Sequence, residues 1–285
     1  MASEEIKNFA ILGYPVGHSL SPKMHTAAFR ASGFQNYNYI PIPVQTGRLM
    51  LAVDGLKGLS FRGANVTIPH KSTIMKFIDA VDSDAMIIGA VNTLVNDGGM
   101  ITGYNTDVTG FLKSLSEVNF LPEECNATIL GAGGAARAIL WGLCKRRAGY
   151  ITLGVRNPKK AQAVVDDFCV YGNVEVIDWQ SAEFKEILQA TDILINTTPL
   201  GMYPNIDEMP PVDLKLLPEG ALVYDIIYNP AETKLLKTAR ELGFPTLNGV
   251  SMLLLQGQEA YRLFTGELPD MEIMAKTLEK ILAAK

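Results

Sequence analysis

Long apolar runs are missing from this 285-residue chain: even a stretch as apolar as Val250-Ser251-Met252-Leu253-Leu254-Leu255 falls far short of the about 18 residues that span a bilayer. Cysteine is scarce. Cys125, Cys144 and Cys169 are odd in number and widely separated, which leaves neither a disulfide framework nor a CxxC metal pair and reads as small apolar thiols. The three histidines, His18, His25 and His70, lack metal-ligand spacing with other donors, so no metal is expected and none of them is assigned catalysis. Positive charge is scarce too: the net charge is −5 and no basic cluster exceeds one short turn, which argues against nucleic acid or an anionic membrane as partner and favours a small molecule. The opening Met1-Ala2-Ser3-Glu4-Glu5 is acidic and lacks the basic region and apolar stretch of a secretory signal, so a soluble, cytoplasmic protein is expected.

What is present is an alternation of strand and helix patterns. Phe9-Ala10-Ile11-Leu12-Gly13 reads as a buried strand, and Ser21-Pro22 offers an N-cap and a first-turn proline to the helix that follows. Residues 37–44 and 63–68 read as strands, 47–56 as a helix and 71–77 as a helix start. Such βα units favour a mostly parallel sheet. Residues 90–95 and 100–103, split by Asn96-Asp97-Gly98-Gly99, read as a hairpin that closes a first domain. A helix pattern from Thr106 to about Val118 then leads into a second, doubly wound series with strands near 127–130, 150–155, 192–196 and 221–227. The chain after Asn248-Gly249 is helical in pattern, and its apolar face is expected to dock on the first domain. The expected class is therefore α/β with two domains: residues 1–106, completed by 250–285, and a Rossmann domain over 107–249.

Gly131-Ala132-Gly133-Gly134-Ala135-Ala136 fits G-x-G-x-x-[G/A] directly between an apolar strand and a helix pattern. The first glycine permits a tight turn, the second lets backbone N–H groups approach a pyrophosphate, and Ala136 allows close helix–strand packing. About 20 residues on, where an NAD site offers an acid to the ribose, stand Arg156-Asn157-Pro158-Lys159-Lys160. A guanidinium there can hold a 2′-phosphate bidentately, so NADP is preferred over NAD; a solvated basic turn is the alternative.

Polar groups in the first domain fall at strand ends and in the loops after them: Ser19, Ser21, Asn65, Thr67, Asn92, Asn105, Thr106 and Asp107. Asn92 lies in an apolar run, Ala90-Val91-Asn92-Thr93-Leu94, where an amide must be hydrogen-bonded. Ser21 and Thr106 would equally serve as N-caps. Ketone reduction needs a proton donor beside the carbonyl oxygen, and Lys71 paired with Asp107 is the candidate, against the alternative that Lys71 is an ordinary exposed lysine.

Several separate motifs in this sequence resemble those of the shikimate dehydrogenase family. Gly17-His18-Ser19-Leu20-Ser21-Pro22-Lys23-Met24-His25 is similar to its substrate loop, and Asn65-Val66-Thr67-Ile68-Pro69-His70-Lys71 to the stretch bearing its catalytic lysine. Gly89-Ala90-Val91-Asn92-Thr93 and Gly103-Tyr104-Asn105-Thr106-Asp107 match the segments of its substrate-binding asparagine and catalytic aspartate. Asn196-Thr197-Thr198-Pro199-Leu200-Gly201-Met202, Asp225-Ile226-Ile227-Tyr228-Asn229-Pro230 and the segment from Gly249 to Gly257 match later motifs.

The resemblance implies that Ser19, Ser21, Asn65, Thr67, Asn92, Asp107, Tyr228 and Gln256 contact substrate, the serines through its carboxylate. It also implies that Lys71 and Asp107 are the acid/base pair. Gly131, Ala132, Gly133, Gly134, Ala135, Arg156, Lys160, Thr197, Gly249 and Met252 would then serve NADP, the last two near the nicotinamide. The implied reaction is reversible reduction of 3-dehydroshikimate to shikimate, on the way to aromatic amino acids, with quinate as the alternative substrate and NAD as the alternative cofactor. Oligomeric state is open: a homodimer is common among enzymes of this size, but nothing in the chain marks an interface. Two departures from the family pattern are Val108, where a glycine is usual, and Val155-Arg156-Asn157 with Lys160, where Asn-Arg-Thr and a second arginine are usual.

Overall fold

The computed structural model describes residues 6–283, so the acidic opening Met1–Glu5 lies outside the described residues. The chain forms two compact units, Met1–Gly110 with Leu254–Lys285, and Phe111–Leu253.

The first unit begins with β1 (Lys7–Gly13), α1 (Ser21–Ala31), β2 (Tyr37–Pro43), α2 (Leu49–Gly58) and β3 (Gly63–Val66). It continues through β4 (Ala80–Val81), α3 (Ser83–Ile88), β5 (Thr93–Asp97) and β6 (Met100–Tyr104). The sheet runs β2-β1-β3-β5-β6-β4. Three ladders are parallel, and only β5 runs antiparallel, to β3 and β6, so the sheet is mostly parallel with the expected hairpin in it. Central β1 is buried from Phe9 through Gly13, as a strand covered on both faces must be. Edge strand β2 carries Pro41 and Pro43, which blunt further pairing.

Three local expectations are corrected. Ser21 is the first helical residue of α1 and not its cap: Leu20 occupies the N-cap in αR geometry with no side-chain cap bond, so the preceding turn runs straight into the helix. Residues 73–76 form a 3₁₀ turn in place of an α-helix start. Asn92 stands just before β5 and not within it, although its carbonyl accepts from Val66 N at 2.8 Å.

The chain passes into the second unit along α4 (Asp107–Glu117). There follow β7 (Asn126–Leu130), α5 (Gly134–Lys145), β8 (Tyr150–Val155), α6 (Pro158–Phe168), β9 (Asn173–Asp178) and α7 (Ala182–Leu188). The unit ends with β10 (Ile193–Asn196), β11 (Leu222–Asp225), α8 (Lys234–Glu241) and β12 (Thr246–Leu247). All its ladders are parallel, in the order β12-β11-β10-β7-β8-β9. Read from β9 inwards and out again this is the doubly wound order 3-2-1-4-5-6, whose switch point lies between β7 and β10. Strands β9 and β12 escaped the sequence because β9 has a single fully buried residue, Ile177, and β12 has only two residues.

Two helices complete the chain, α9 (Gly249–Thr265) and α10 (Met271–Ala283), and from Leu254 onward they belong to the first unit. There α10 packs on α1, burying Met24, Phe29, Met274 and Leu278, while the Phe9 ring sits 4.9 Å from Phe264 and 5.1 Å from Phe29. Burial of each such side chain is worth roughly 1.5–3 kcal/mol, which explains why the terminal helices return. Among the described residues no helix is long and apolar enough to cross a membrane.

Candidate active site

In the first unit, the loop after β3 delivers Lys71 and the first residue of α4 is Asp107. The Lys71 carbonyl accepts from Val91 N at 2.8 Å, pinning that loop beside the segment before β5. Lys71 Nζ donates to Asp107 Oδ2 at 2.5 Å, with side chains 19% and 9% exposed. The other carboxylate oxygen accepts from Asn92 Nδ2 at 2.7 Å, and the Asp107 amide donates to Asn105 Oδ1 at 3.0 Å. Asp107 is thus held at three points, and an ammonium with three protons keeps two for other acceptors. Asn92 meets the hydrogen-bonding demand made of it by burial: its second Nδ2 bond goes to Thr106 Oγ1 at 3.0 Å, and Oδ1 accepts from Thr106 N at 2.8 Å and the Thr93 hydroxyl at 2.9 Å. Val108 is buried in the first turn of α4, which starts at Asp107 without the usual glycine.

Asn65 joins the same network. Its Nδ2 donates to Asn92 O at 3.1 Å and Thr93 Oγ1 at 3.0 Å, and its Oδ1 accepts from Tyr39 at 2.6 Å. Burial raises the Tyr39 pKa, so the phenol stays a donor. The Thr106 hydroxyl reaches Gln256 Oε1 on α9 at 3.3 Å. Ser19 lies in the loop after β1 and Ser21 opens α1, Ser21 N donating to Ser19 Oγ at 3.3 Å. Among the described residues no side-chain hydrogen bond ties these serines or Thr67 to the lysine–aspartate network. Backbone bonds from Tyr14 N to Ile68 O and from Thr67 N to Leu12 O do run the two loops side by side. His70 Nε2 meets Val44 O at 2.6 Å, a structural contact. His25 is buried and stacked 4.7 Å over Tyr39, and burial pushes its pKa down to about 3.

In the second unit, the turn between β7 and α5 has the features a diphosphate needs. Gly131 sits at φ +107°, and an added Cβ would lie 2.7 Å from Thr197 Oγ1, so only glycine fits the turn. Helix α5 starts at Gly134 behind an N-cap, Gly133, that has no side-chain cap bond and open space around its α-carbon. Its first-turn amides thus form a helix terminus suited to an anion. Thr197 opens the loop after β10, its hydroxyl donating to Leu130 O at 2.7 Å. After β8, Asn157 caps α6 by accepting from Lys160 N at 3.2 Å, and exposed Arg156 and Lys160 make no ion pairs among the described residues. Tyr228 follows β11 and burial raises its pKa, while Gly249 and buried Met252 open α9. These residues fit a dinucleotide carrying an extra phosphate.

Comparison with known proteins agrees. Residues 11–94 match the family model described as shikimate dehydrogenase substrate binding domain. A shikimate dehydrogenase (NADP(+)) of Methanothermobacter thermautotrophicus is 43% identical over 279 residues, 95% of either chain. The chain belongs to the shikimate dehydrogenase family. A solved shikimate 5-dehydrogenase from Thermus thermophilus, in complex with NADP(H) and shikimate, is similar at TM-score 0.86 and 32% identity, over 96% of this chain and 99% of that one. Quinate dehydrogenase from Corynebacterium glutamicum in complex with NAD is similar at TM-score 0.87 and 31% identity, over 96% and 99%.

Two residues of this family member carry no strong local signal in its sequence. Tyr39 is one: it lies in an edge strand, and only the alternation Tyr37-Asn38-Tyr39 hints that it faces inward. Asp225 is the other, a carboxylate ending the otherwise apolar strand β11. It is fully buried, and burial pushes its pKa up to about 6 from 3.8, against hydrogen bonds from Thr233, Ile227 and Asn196 that pull it down. A carboxyl whose folded-state pKa is raised stabilises the fold below its unfolded pKa, and that contribution disappears as pH rises through the folded value. Wild type is therefore expected to lose about 2 kcal/mol of stability relative to Asp225→Asn between pH 4 and pH 7 in urea titrations. A difference independent of pH would refute the shift.

Proposed function

We propose that this protein catalyses the NADP-dependent, reversible reduction of 3-dehydroshikimate to shikimate, with residues 1–106 and 250–285 as the substrate-binding part and 107–249 as the cofactor-binding part. The observation that carries the reading is the lysine–carboxylate pair, Lys71 with Asp107, fixed by Asn92 in a member of this family.

Ser19 and Ser21 would hold the ring carboxylate, and Asn65, Thr67, Asn92, Tyr228 and Gln256 the ring hydroxyls. The dinucleotide would be held by Gly131, Ala132, Gly133, Gly134 and Ala135 at its diphosphate, by Arg156 and Lys160 at its 2′-phosphate, and by Thr197, Gly249 and Met252 towards the nicotinamide. Bound NADPH supplies the hydride for the ketone carbon. Lys71 donates a proton to the ketone oxygen as it becomes a hydroxyl, and in the reverse direction accepts it. Asp107 aims the ammonium through its hydrogen bond, and offers an acceptor to the neighbouring ring hydroxyl. Uncharged Asn92 orients Asp107 without competing for the proton.

The test follows nicotinamide reduction with shikimate or quinate crossed against NADP or NAD. Shikimate with NADP should give the highest kcat/KM. A preference for quinate with NAD would instead favour the second reading, which the likeness to the Corynebacterium enzyme supports; quinate adds one hydroxyl, and pockets reject an added hydroxyl only weakly. The cytoplasm is the expected compartment, and sedimentation velocity would decide whether the chain forms a homodimer, an assembly common among enzymes of this size.

A further inference from the structure

Asp225 ends β11 with no exposed surface and is hydrogen-bonded to three different segments. Asn196 Nδ2, at the end of β10, donates to its Oδ1 at 3.1 Å, and so does Ile227 N at 3.1 Å. Thr233 Oγ1 donates to Oδ2 at 2.7 Å. Two of these contacts reach further. Asn196 Oδ1 accepts from the amide and hydroxyl of Thr198, at 3.0 and 2.7 Å, and so shapes the loop containing Thr197. The Ile227 carbonyl accepts from Gly249 N at 3.0 Å, and Gly249 lies so close to this turn that a Cβ would come within 1.9 Å of Ile226 O. One buried side chain therefore links three segments that hold Thr197, Tyr228 and Gly249. A buried carboxylate is costly in an apolar setting, and where folding alone is at stake an apolar replacement often does as well.

We propose that Asp225 is a positioning residue for the cofactor site, its carboxyl group fixing the loop after β10, the Ile226-Ile227-Tyr228 turn and the start of α9 in mutual register for the nicotinamide dinucleotide. This rests on the NADP-binding reading above. It requires the shape of the group and not its charge: an asparagine with its oxygen in the place of Oδ1 keeps both bonds there, and its amide can donate to the Thr233 hydroxyl. An alanine leaves Asn196 Nδ2 and Ile227 N unpaired.

The test compares Asp225→Asn with Asp225→Ala by calorimetric titration of NADP, at a temperature well below the melting point of each variant. Asp225→Ala should raise the Kd for NADP by about tenfold or more, and Asp225→Asn should stay within about threefold of wild type. Wild-type affinity in Asp225→Ala, or equal loss in both variants, overturns the proposal. If Asp225→Ala does not fold, Thr233→Val decides, since it frees Oδ2: a rise of about threefold or more supports the proposal and unchanged binding overturns it. A wild-type protein that fails to bind NADP sinks this inference together with the proposed function, whereas one that binds NADP but does not oxidise shikimate sinks only the latter.

Discussion

Replacing Lys71 with alanine is expected to lower kcat by about 10²–10⁴-fold while KM for shikimate changes by no more than about threefold. The asymmetry follows from the geometry. The lysine is engaged with Asp107 at 2.5 Å, so its contribution to holding substrate is limited to the donors that remain, whereas the proton it moves is needed only as the ketone oxygen gains or loses charge. Removing it also strands the Asp107 carboxylate, 9% exposed, with Asn92 as its remaining side-chain donor. The variant should therefore melt lower than wild type, and kinetics must be taken below that point. Two further results would support the assignment: recovery of part of kcat by added primary amines, and a Lys71→Ala, Asp107→Ala double variant scarcely slower than the worse single one, as expected of groups acting as a unit. A parallel loss in kcat and in substrate affinity would refute the role of Lys71 in proton transfer.

The sequence made that pair legible, along with the winding of the second unit, because both rest on local signals. An apolar strand followed by Gly131-Ala132-Gly133-Gly134 and a helix pattern specifies its turn chemistry in a few residues, and the structure has the same strand, turn and helix. Asn92 announced itself as an amide among apolar residues, and its bonds to Thr106 and Asp107 supply what burial demanded. What stayed hidden depends on long-range placement. Tyr39 meets Asn65 only because β2 and β3 flank β1, a fact of sheet order that no window of neighbouring residues contains. Asp225 looked like an ordinary strand-end acid until Asn196 and Thr233, 29 and 8 residues away, closed around it. Ser21 misled for a different reason: Ser-Pro is a frequent helix opening, but Leu20 already had helical dihedrals, which moved the boundary one residue earlier.

Replacing Arg156 with alanine should reduce kcat/KM for NADP by about 10–100-fold and leave that for NAD within about threefold, because hydrogen bonds to charged groups contribute roughly 1.5–3 kcal/mol and NAD lacks the phosphate that would receive them. The guanidinium follows β8 directly, is exposed, and has no ion-pair partner among the described residues, so nothing must be broken before it binds an anion. Lys160, in the first turn of α6, should matter less: its ammonium is a solvated point charge on a flexible stem, and Lys160→Ala is expected to cost about three- to tenfold. The same contrast should appear with salt. Raising ionic strength should weaken NADP binding more than NAD binding in wild type, and the gap should shrink in Arg156→Ala. Asn157 sharpens the test, because its side chain already caps α6 through Lys160 N and so is engaged in holding the turn in shape. Asn157→Ala should therefore weaken NADP binding by disordering the turn, and it should lower the melting temperature, which Arg156→Ala should leave unchanged. Equal losses for NADP and NAD in Arg156→Ala would mean that the 2′-phosphate is recognised elsewhere.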